Sequence, residues 1–238
     1  PAVSFLVANF PKPRDGKPAL LKRSDVETFF HEFGHTLHAL LGATELVGQT
    51  GTHVATDFVE LPSQMLEEWL FTKDILKRVS SHYESKESLP DETIARIQEL
   101  KTYDAAYFVQ RQVALSRVSL MYFLEGKDKD PYAVFRKASE HMDDYIMPSE
   151  ENHFYAAFGH LTGYGAKYYS YLWSKTYAID VFMYLYERGL LKPEVGRHYA
   201  EEVLMRGGSN KPDVLLENFL GRPPQRDAFY AYYNFKQG

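Results

Sequence analysis

The sequence predicts a mainly α-helical protein, and two observations support this fold class. Apolar residues recur at helical spacing in most segments of the 238-residue chain. Glycine, proline and helix-capping residues separate these segments, as expected where helices end and begin. β-prone residues are concentrated in one short stretch, residues 2–10. We therefore expect helices with, at most, a short N-terminal strand or a small edge sheet.

The first elements can be assigned from local signals. The strand at residues 2–10 should run into a turn at Asp15-Gly16. Ser24 and Glu27 have the spacing of a capping box, which predicts a helix beginning near Ser24, and Gly42 is a plausible end. Further helices are predicted over residues 57–78, 90–124, 132–147, 166–188, 193–205, 211–220 and 225–234, with loops at 43–56 and 158–165.

Composition excludes several classes of function. A net charge of -5 with 25% charged residues provides no basic stripe, so no nucleic-acid partner is expected. An apolar run of 18 residues is absent, so no membrane span is expected. The chain has no cysteine, which leaves histidines and carboxylates as metal ligands. Because it begins at Pro1 rather than methionine, we interpret the chain as a fragment or a processed product.

The most informative motif is His31-Glu32-Phe33-Gly34-His35. Residues four apart on a helix lie on one face, so the two imidazoles can reach the same cation. Glu32 is displaced around the helix, where it can act as a general base toward a water at the metal. This pattern is typical of zinc hydrolases.

A catalytic zinc usually takes three protein ligands, so a further residue is needed. We favour Glu60, at the start of the next predicted helix, while His53 in the intervening loop remains an alternative. Asp57 and Glu67 are candidates to hold the ligands by hydrogen bonds. Their alternative roles are a helix cap and a solvated helix face.

A second informative stretch contains Tyr164, Tyr168 and Tyr171 beside a glycine-rich loop. These tyrosines either form an aromatic core stripe or place phenols where they stabilise an oxyanion. His160 could add a hydrogen bond to the substrate. The remaining histidines are interpreted as surface or core residues: His38, His82, His141, His153 and His198.

Several longer motifs follow one another along the chain, beginning with His31-Glu-Phe-Gly-His35-Thr-Leu-His38 and Gly51-Thr-His53. They continue with Asp57-Phe-Val-Glu60-Leu-Pro-Ser-Gln64, Glu67-x-Trp69 and the stretch from His160 to Trp173. In this order they resemble the thimet oligopeptidase family of zinc metallopeptidases (M3), which includes neurolysin, oligopeptidase A, dipeptidyl carboxypeptidase and mitochondrial intermediate peptidase. Residues 1–10 and Arg206-Gly-Gly-Ser209 fit as well, so the resemblance covers essentially the whole chain.

The resemblance implies one zinc ion per chain, held by His31, His35 and Glu60, with Glu32 as the general base. It moves His53 from the candidate ligands to a loop that contacts substrate. It also implies a zincin-type catalytic domain spanning residues 1–238 as a single domain. Complete members are far longer, so the chain corresponds to the zinc-bearing, C-terminal half.

For the second stretch, the resemblance implies that Tyr168 and Tyr164 contact the substrate carbonyl or oxyanion. His160 and Tyr171 would line the substrate site. Many members carry two glycines before the first tyrosine, whereas here Gly163 alone precedes Tyr164, a version closer to the mitochondrial intermediate peptidase pattern.

The expected function is zinc-dependent hydrolysis of internal bonds in short peptides. One alternative is a dipeptidyl carboxypeptidase, and another is an inactive zinc-binding half that needs the N-terminal half of the family's chain as its partner. A purely structural zinc site is disfavoured because it would not need Glu32. The expected compartment is the cytoplasm, with the mitochondrion as the alternative.

Overall fold

The computed structural model describes residues 2–124, 126, 128–140 and 153–236. These residues are mainly helical, as the sequence predicts. Their α-helices are α1 (Arg23–Leu41), α2 (Thr56–Val59), α3 (Leu61–Glu67), α4 (Lys73–Val79), α5 (Asp91–Leu100), α6 (Ala105–Phe123), α7 (Pro131–Ala138), α8 (Phe154–Ala157), α9 (His160–Gly163), α10 (Ser170–Arg188), α11 (Pro193–Tyr199), α12 (Pro212–Leu220) and α13 (Asp227–Tyr232). Short 3-10 turns lie at Val47–Gln49, Glu68–Phe71, Gly165–Lys167 and Gly207–Ser209, and a π-helical turn lies at Ala200–Leu204.

The predicted N-terminal strand is wrong for the described part of the chain, where no strand or sheet forms. A strand needs a second segment to pair its backbone groups, and β propensity alone does not supply one. Val3, Phe5 and Val7 are 75 to 87% exposed. The predicted turn is confirmed, since Asp15 and Gly16 both have positive φ and the Lys17 N–H donates to the Arg14 carbonyl.

The start of α1 also differs from the prediction. The helix begins at Arg23, and the Asp25 carboxylate accepts a hydrogen bond from the Lys22 N–H at 2.8 Å. Glu27 pairs instead with Arg23, with 3.5 Å between Oε2 and Nη1. Helix α1 ends before Gly42, as predicted.

Two long predicted helices are broken. The segment at 57–78 divides into α2, α3, a 3-10 turn and α4, with Pro62 in the first turn of α3, where its missing N–H costs no helical hydrogen bond. The segment at 90–124 divides into α5 and α6 at Asp104, which has a φ of 55°. Within the predicted helix at 132–147, α7 ends at Ala138, and residues 141–147 lie outside the described residues.

Other boundaries follow from local chemistry. The predicted loop at 158–165 contains helix α9 and leads into a 3-10 turn. The helix predicted from 166 begins at Ser170 and ends before Gly189, whose φ is 102°. The segment at 193–205 forms α11 and then the π-helical turn.

In the described residues, no helix combines the length and apolar character that crossing a membrane requires.

The structure divides into two compact units, of which the first contains residues 1–103 and 174–238. Its core is formed by apolar side chains from α2 to α5 and from α10 to α13, including Phe58, Leu61, Met65, Leu70, Ile94, Ile179, Val181, Phe182, Leu215 and Phe219. The second unit contains residues 104–173. The prediction of a single domain over 1–238 stays a prediction.

Close packing of α1 on α3 arranges the first unit around the His31–His35 motif. A Cβ on Gly34 would lie 2.5 Å from the Ser63 Cα, so only glycine permits this approach without a shift. The buried face of α1 therefore carries Gly34 and His38. Phe29 and Phe33 stack on each other at 5.8 Å between ring centroids and remain exposed.

Candidate metal centre

Three predicted ligands converge in the first unit. His31 and His35 are one turn apart on α1, and Glu60 lies at the junction of α2 and α3. The Nε2 atoms of both histidines lie 3.2 Å from Glu60 Oε2. One ligand atom from each of the three residues falls within 4.8 Å of the others. We call these residues the metal group.

Local contacts hold Glu60 in this position. Glu60 is only 3% exposed, because α1 and α3 pack closely around it. The Ser63 hydroxyl donates to the Glu60 carbonyl at 2.9 Å and lies 3.4 Å from its Oε2. A buried carboxylate is costly unless cations or hydrogen-bond donors surround it. The Glu60 carboxylate is therefore well placed to bind a cation.

Glu67 orients the first histidine of the motif. Its Oε1 lies 2.6 Å from His31 Nδ1, which identifies Nδ1–H as the donor of this hydrogen bond. In a neutral imidazole the lone pair is then on Nε2, which faces Glu60. This arrangement, in which a carboxylate fixes the tautomer of a metal-binding histidine, is common in metal sites.

The electrostatics of the site favour positive charge. Burial lowers the pKa of His31, but the hydrogen bonds and charges of Glu60 and Glu67 outweigh burial and raise the pKa to about 10. The same two carboxylates would stabilise a divalent cation. By contrast, burial and the neighbouring His35 lower the pKa of His38 to about 4.

A buried ionic cluster behind His31 is absent from the sequence-based prediction. Lys175 Nζ lies 2.8 Å from Glu67 Oε2 and 2.5 Å from Glu68 Oε1, and the Tyr232 hydroxyl donates to Glu68 Oε2. Lys175 shares the buried face of α10 with Ala178 at helical spacing. A lysine within an apolar helical stripe is the signal that could have found it.

Three further predicted residues lie in the first unit: His53, Asp57 and Glu32. His53 is exposed, and its Nδ1 donates to the Thr50 carbonyl at 3.0 Å. It lines a cavity of about 450 Å³ together with residues 207–212 and Leu215. The Asp57 carbonyl accepts a hydrogen bond from Ser174. Glu32 is half-buried beside His31 on α1.

The predicted tyrosines and His160 form an aromatic cluster in the second unit. The His160 ring centroid lies 5.0 Å from that of Tyr168, 5.4 Å from Tyr171 and 5.9 Å from Tyr164. Tyr168 is buried in a hydrophobic core with Leu115, Val118, Ala138 and Phe158. Burial raises the pKa of Tyr168, against the lowering effects of Arg111 and a hydrogen bond with Gln112.

The remaining histidines divide between core and surface. His38 is fully buried, and His198 is part-buried with Nε2 3.2 Å from the Phe219 carbonyl oxygen. His82 and His153 are exposed. His141 lies outside the described residues.

The metal group fits zinc by its donor set and by its surroundings. Two imidazole nitrogens and one carboxylate oxygen are a ligand set found in catalytic zinc sites. Three protein ligands leave a fourth tetrahedral position for water or substrate. The hydrogen bond from His31 Nδ1 to Glu67 supplies the support that such a ligand usually has.

Comparisons with known proteins find matches over nearly the whole chain. Residues 1–235 match the model of peptidase family M3. Oligopeptidase A of Escherichia coli K12 is 38% identical over 98% of this chain and 35% of its own length. Dipeptidyl carboxypeptidase of Salmonella typhimurium LT2 is 32% identical over 97% of this chain and 35% of its own. Saccharolysin of Saccharomyces cerevisiae is 35% identical over 95% and 33%. The chain thus spans about a third of the length of these relatives.

Proposed function

The chain belongs to peptidase family M3, and from this membership and its metal group we propose that it is the zinc-dependent catalytic part of an oligopeptidase. The proposed reaction is hydrolysis of internal bonds in short peptides. The observation that carries the proposal is the convergence of His31, His35 and Glu60, with ligand atoms within 4.8 Å of one another. One zinc ion per chain is the cofactor that this group suits.

When bound, zinc supplies a Lewis acid that polarises the scissile carbonyl and lowers the pKa of water to about 7. Glu32 is the proposed general base, which takes a proton from the attacking water and passes it to the leaving amine. Its place next to His31 puts it on the motif helix, one residue from a ligand. Glu67 keeps the His31 imidazole in the tautomer that offers Nε2.

Tyr168 and Tyr164 are the proposed donors to the carbonyl oxygen as negative charge develops there. His160 and Tyr171 are proposed to line the substrate site, and His53 to contact substrate from its loop. Support comes from the family membership and from the ring contacts that gather the tyrosines around His160.

Replacing the proposed base tests the mechanism. Glu32→Gln should retain zinc, because it alters no ligand, and should lower kcat/KM on a quenched-fluorescent peptide by about 10²- to 10⁴-fold. Metal content is measured by atomic absorption alongside the assay. Glu45→Gln, an exposed carboxylate outside the metal group, is the matched control. Full activity of the Glu32 variant would contradict the assignment.

A second candidate function is dipeptidyl carboxypeptidase activity, favoured by the similarity to a relative with that name. Such an enzyme must recognise the free carboxylate of its substrate. Cleavage of a peptide should then be lost when its C-terminus is amidated. Equal cleavage of both forms supports the internal-bond function.

A third candidate is a zinc-binding half that needs a partner, favoured by the short span of the chain relative to its relatives. The proposed partner is the N-terminal half of a complete family member. The purified 238-residue chain would then bind zinc without turning over the peptide. Adding the N-terminal half should restore turnover in this case.

A further inference from the structure

We propose that Lys175 is a positioning residue of the metal centre, which holds the Glu67 carboxylate in the orientation that bonds His31. The inference rests on the proposed function, because it assigns Lys175 a role in binding the same metal. Lys175 lies on α10, more than 100 residues from the ligands in sequence, and acts through Glu67 rather than on the metal or substrate.

The first argument is that the two Glu67 carboxylate oxygens accept hydrogen bonds from different donors. Oε1 accepts from His31 Nδ1 at 2.6 Å, and Oε2 accepts from Lys175 Nζ at 2.8 Å. A carboxylate bonded through only one oxygen can rotate about its Cγ–Cδ bond, whereas two opposed donors define its plane. The ammonium of Lys175 therefore sets the direction in which Oε1 meets the imidazole.

The second argument is that ion pairs hold the Lys175 side chain in place. Its side chain is 8% exposed, and a buried ammonium requires paired charges. Glu68 supplies the second charge at 2.5 Å, and the Tyr232 hydroxyl fixes Glu68 in turn. Contacts thus run continuously from Tyr232 through Glu68, Lys175 and Glu67 to His31. All five residues of this series of contacts lie in the first unit.

The third argument is charge. Glu67 and Glu68 are adjacent and both contact Lys175, so the ammonium lies between two carboxylates. Without it, the carboxylates would repel each other in a buried setting, and Glu67 would turn from its present orientation. With it, the cluster keeps one surplus negative charge behind His31, which favours a cation at the metal group.

The same helix carries a second ion pair with a buried carboxylate. Asp180 on α10 is buried and bonds Arg222 through both oxygens, at 2.6 and 2.9 Å. Its Oδ2 also accepts from the Gln225 N–H. The Asp180 side chain is 2% exposed, like that of Glu68, whereas the Arg222 side chain is 38% exposed. The described hydrogen bonds of this pair lead to the loop after α12 rather than to His31.

The test is a double-mutant cycle read out as zinc affinity, measured by competition with a chromophoric chelator. Lys175→Met should weaken zinc binding by about 10- to 100-fold, the range for residues that support a ligand. In a Glu67→Gln background, the same replacement should change affinity by less than about 3-fold, because its route to His31 is already altered. Equal losses in both backgrounds would show a general structural role and overturn the proposal.

Two further variants distinguish a loss of folding from a loss of zinc binding. If Lys175→Met does not fold, the cycle is run in a Glu68→Gln background, where the second buried carboxylate is already neutral. The expected loss on removing Lys175 remains about 10-fold or more. Arg222→Met should lower the melting temperature and leave zinc affinity unchanged.

The outcomes separate this inference from the proposed function. If the wild-type chain binds no zinc, both are overturned. If the wild-type chain binds zinc and removal of Lys175 leaves the affinity unchanged, the positioning role alone is overturned. A loss of affinity that depends on Glu67 supports it.

Discussion

Charged hydrogen bonds hold the residues around His31, whereas ring packing holds the residues around Tyr168. In the first unit, His31 contacts two carboxylates at 2.6 and 3.2 Å, and a buried lysine supports one of them. In the second unit, the tyrosines meet His160 at ring separations of 5.0 to 5.9 Å. Charged contacts are directional and depend on single atoms, while packed rings tolerate replacements of similar volume. Single changes should therefore affect the metal group most.

The largest expected effect tests the ligand choice within the metal group. Glu60→Ala should weaken zinc binding by about 1,000-fold or more, since zinc sites derive several kcal/mol from each ligand. His53→Ala should leave zinc affinity unchanged, because that side chain is exposed and bonds Thr50. Chelator competition on both variants measures this. The opposite ranking would make His53 the ligand.

The next-largest expected effect tests whether Tyr168 has a catalytic role in addition to its packing in the core. Tyr168→Phe keeps the ring in place and should lower kcat by about 100-fold, with a smaller change in KM, if the phenol stabilises the oxyanion. Loss of its hydrogen bond with Gln112 should cost only about 1 kcal/mol of stability.

Tyr199→Phe is the matched control for this prediction. Tyr199 is equally buried, and its hydroxyl has no hydrogen-bond partner among the described residues. Its replacement should leave kcat unchanged. An unchanged kcat in Tyr168→Phe as well would assign Tyr168 to the core alone.

A smaller effect sharpens the role of backbone approach in the first unit. Gly34→Ala places a Cβ 2.5 Å from the Ser63 Cα, so α1 must move away from α3. We expect a loss of about 2 to 3 kcal/mol in the free energy of unfolding, measured with urea, and weaker zinc binding. Gly196→Ala in α11 meets no neighbouring atom within 4 Å and should stabilise the protein by up to about 1 kcal/mol. Equal stability of the two variants would contradict the close packing.

The smallest effect concerns His38, which is buried like Glu60 but whose ring nitrogens have no hydrogen-bond partner among the described residues. Its pKa is lowered to about 4, so the unfolded state binds more protons below pH 6.5. Stability should therefore fall as the pH drops from 6.5 toward 4, by about 2 kcal/mol at pH 5. His38→Leu should remove this acid sensitivity in urea unfolding at pH 7 and 5. His82→Leu, at an exposed position, should retain it.

Much of the metal group could be predicted because helical spacing is a local property. His31 and His35 share a face of α1 wherever that helix packs. The family resemblance is confirmed by the match over residues 1–235. The breaks within the segments at 57–78 and 90–124 were harder to predict, since apolar periodicity continues through them.

Local sequence therefore determined the motif helix, the shared face of its two histidines, the place of Glu32 beside them and the turn at Asp15-Gly16. Tertiary structure decided which carboxylate meets the histidines, because only the approach of α1 to α3 at Gly34 brings Glu60 to His31 and His35. It also placed Lys175 behind Glu67 and left residues 2–10 without a paired strand. The physical reason is that hydrogen bonds, ion pairs and β-ladders depend on partners distant in sequence, whereas helical register and turn chemistry depend on neighbours.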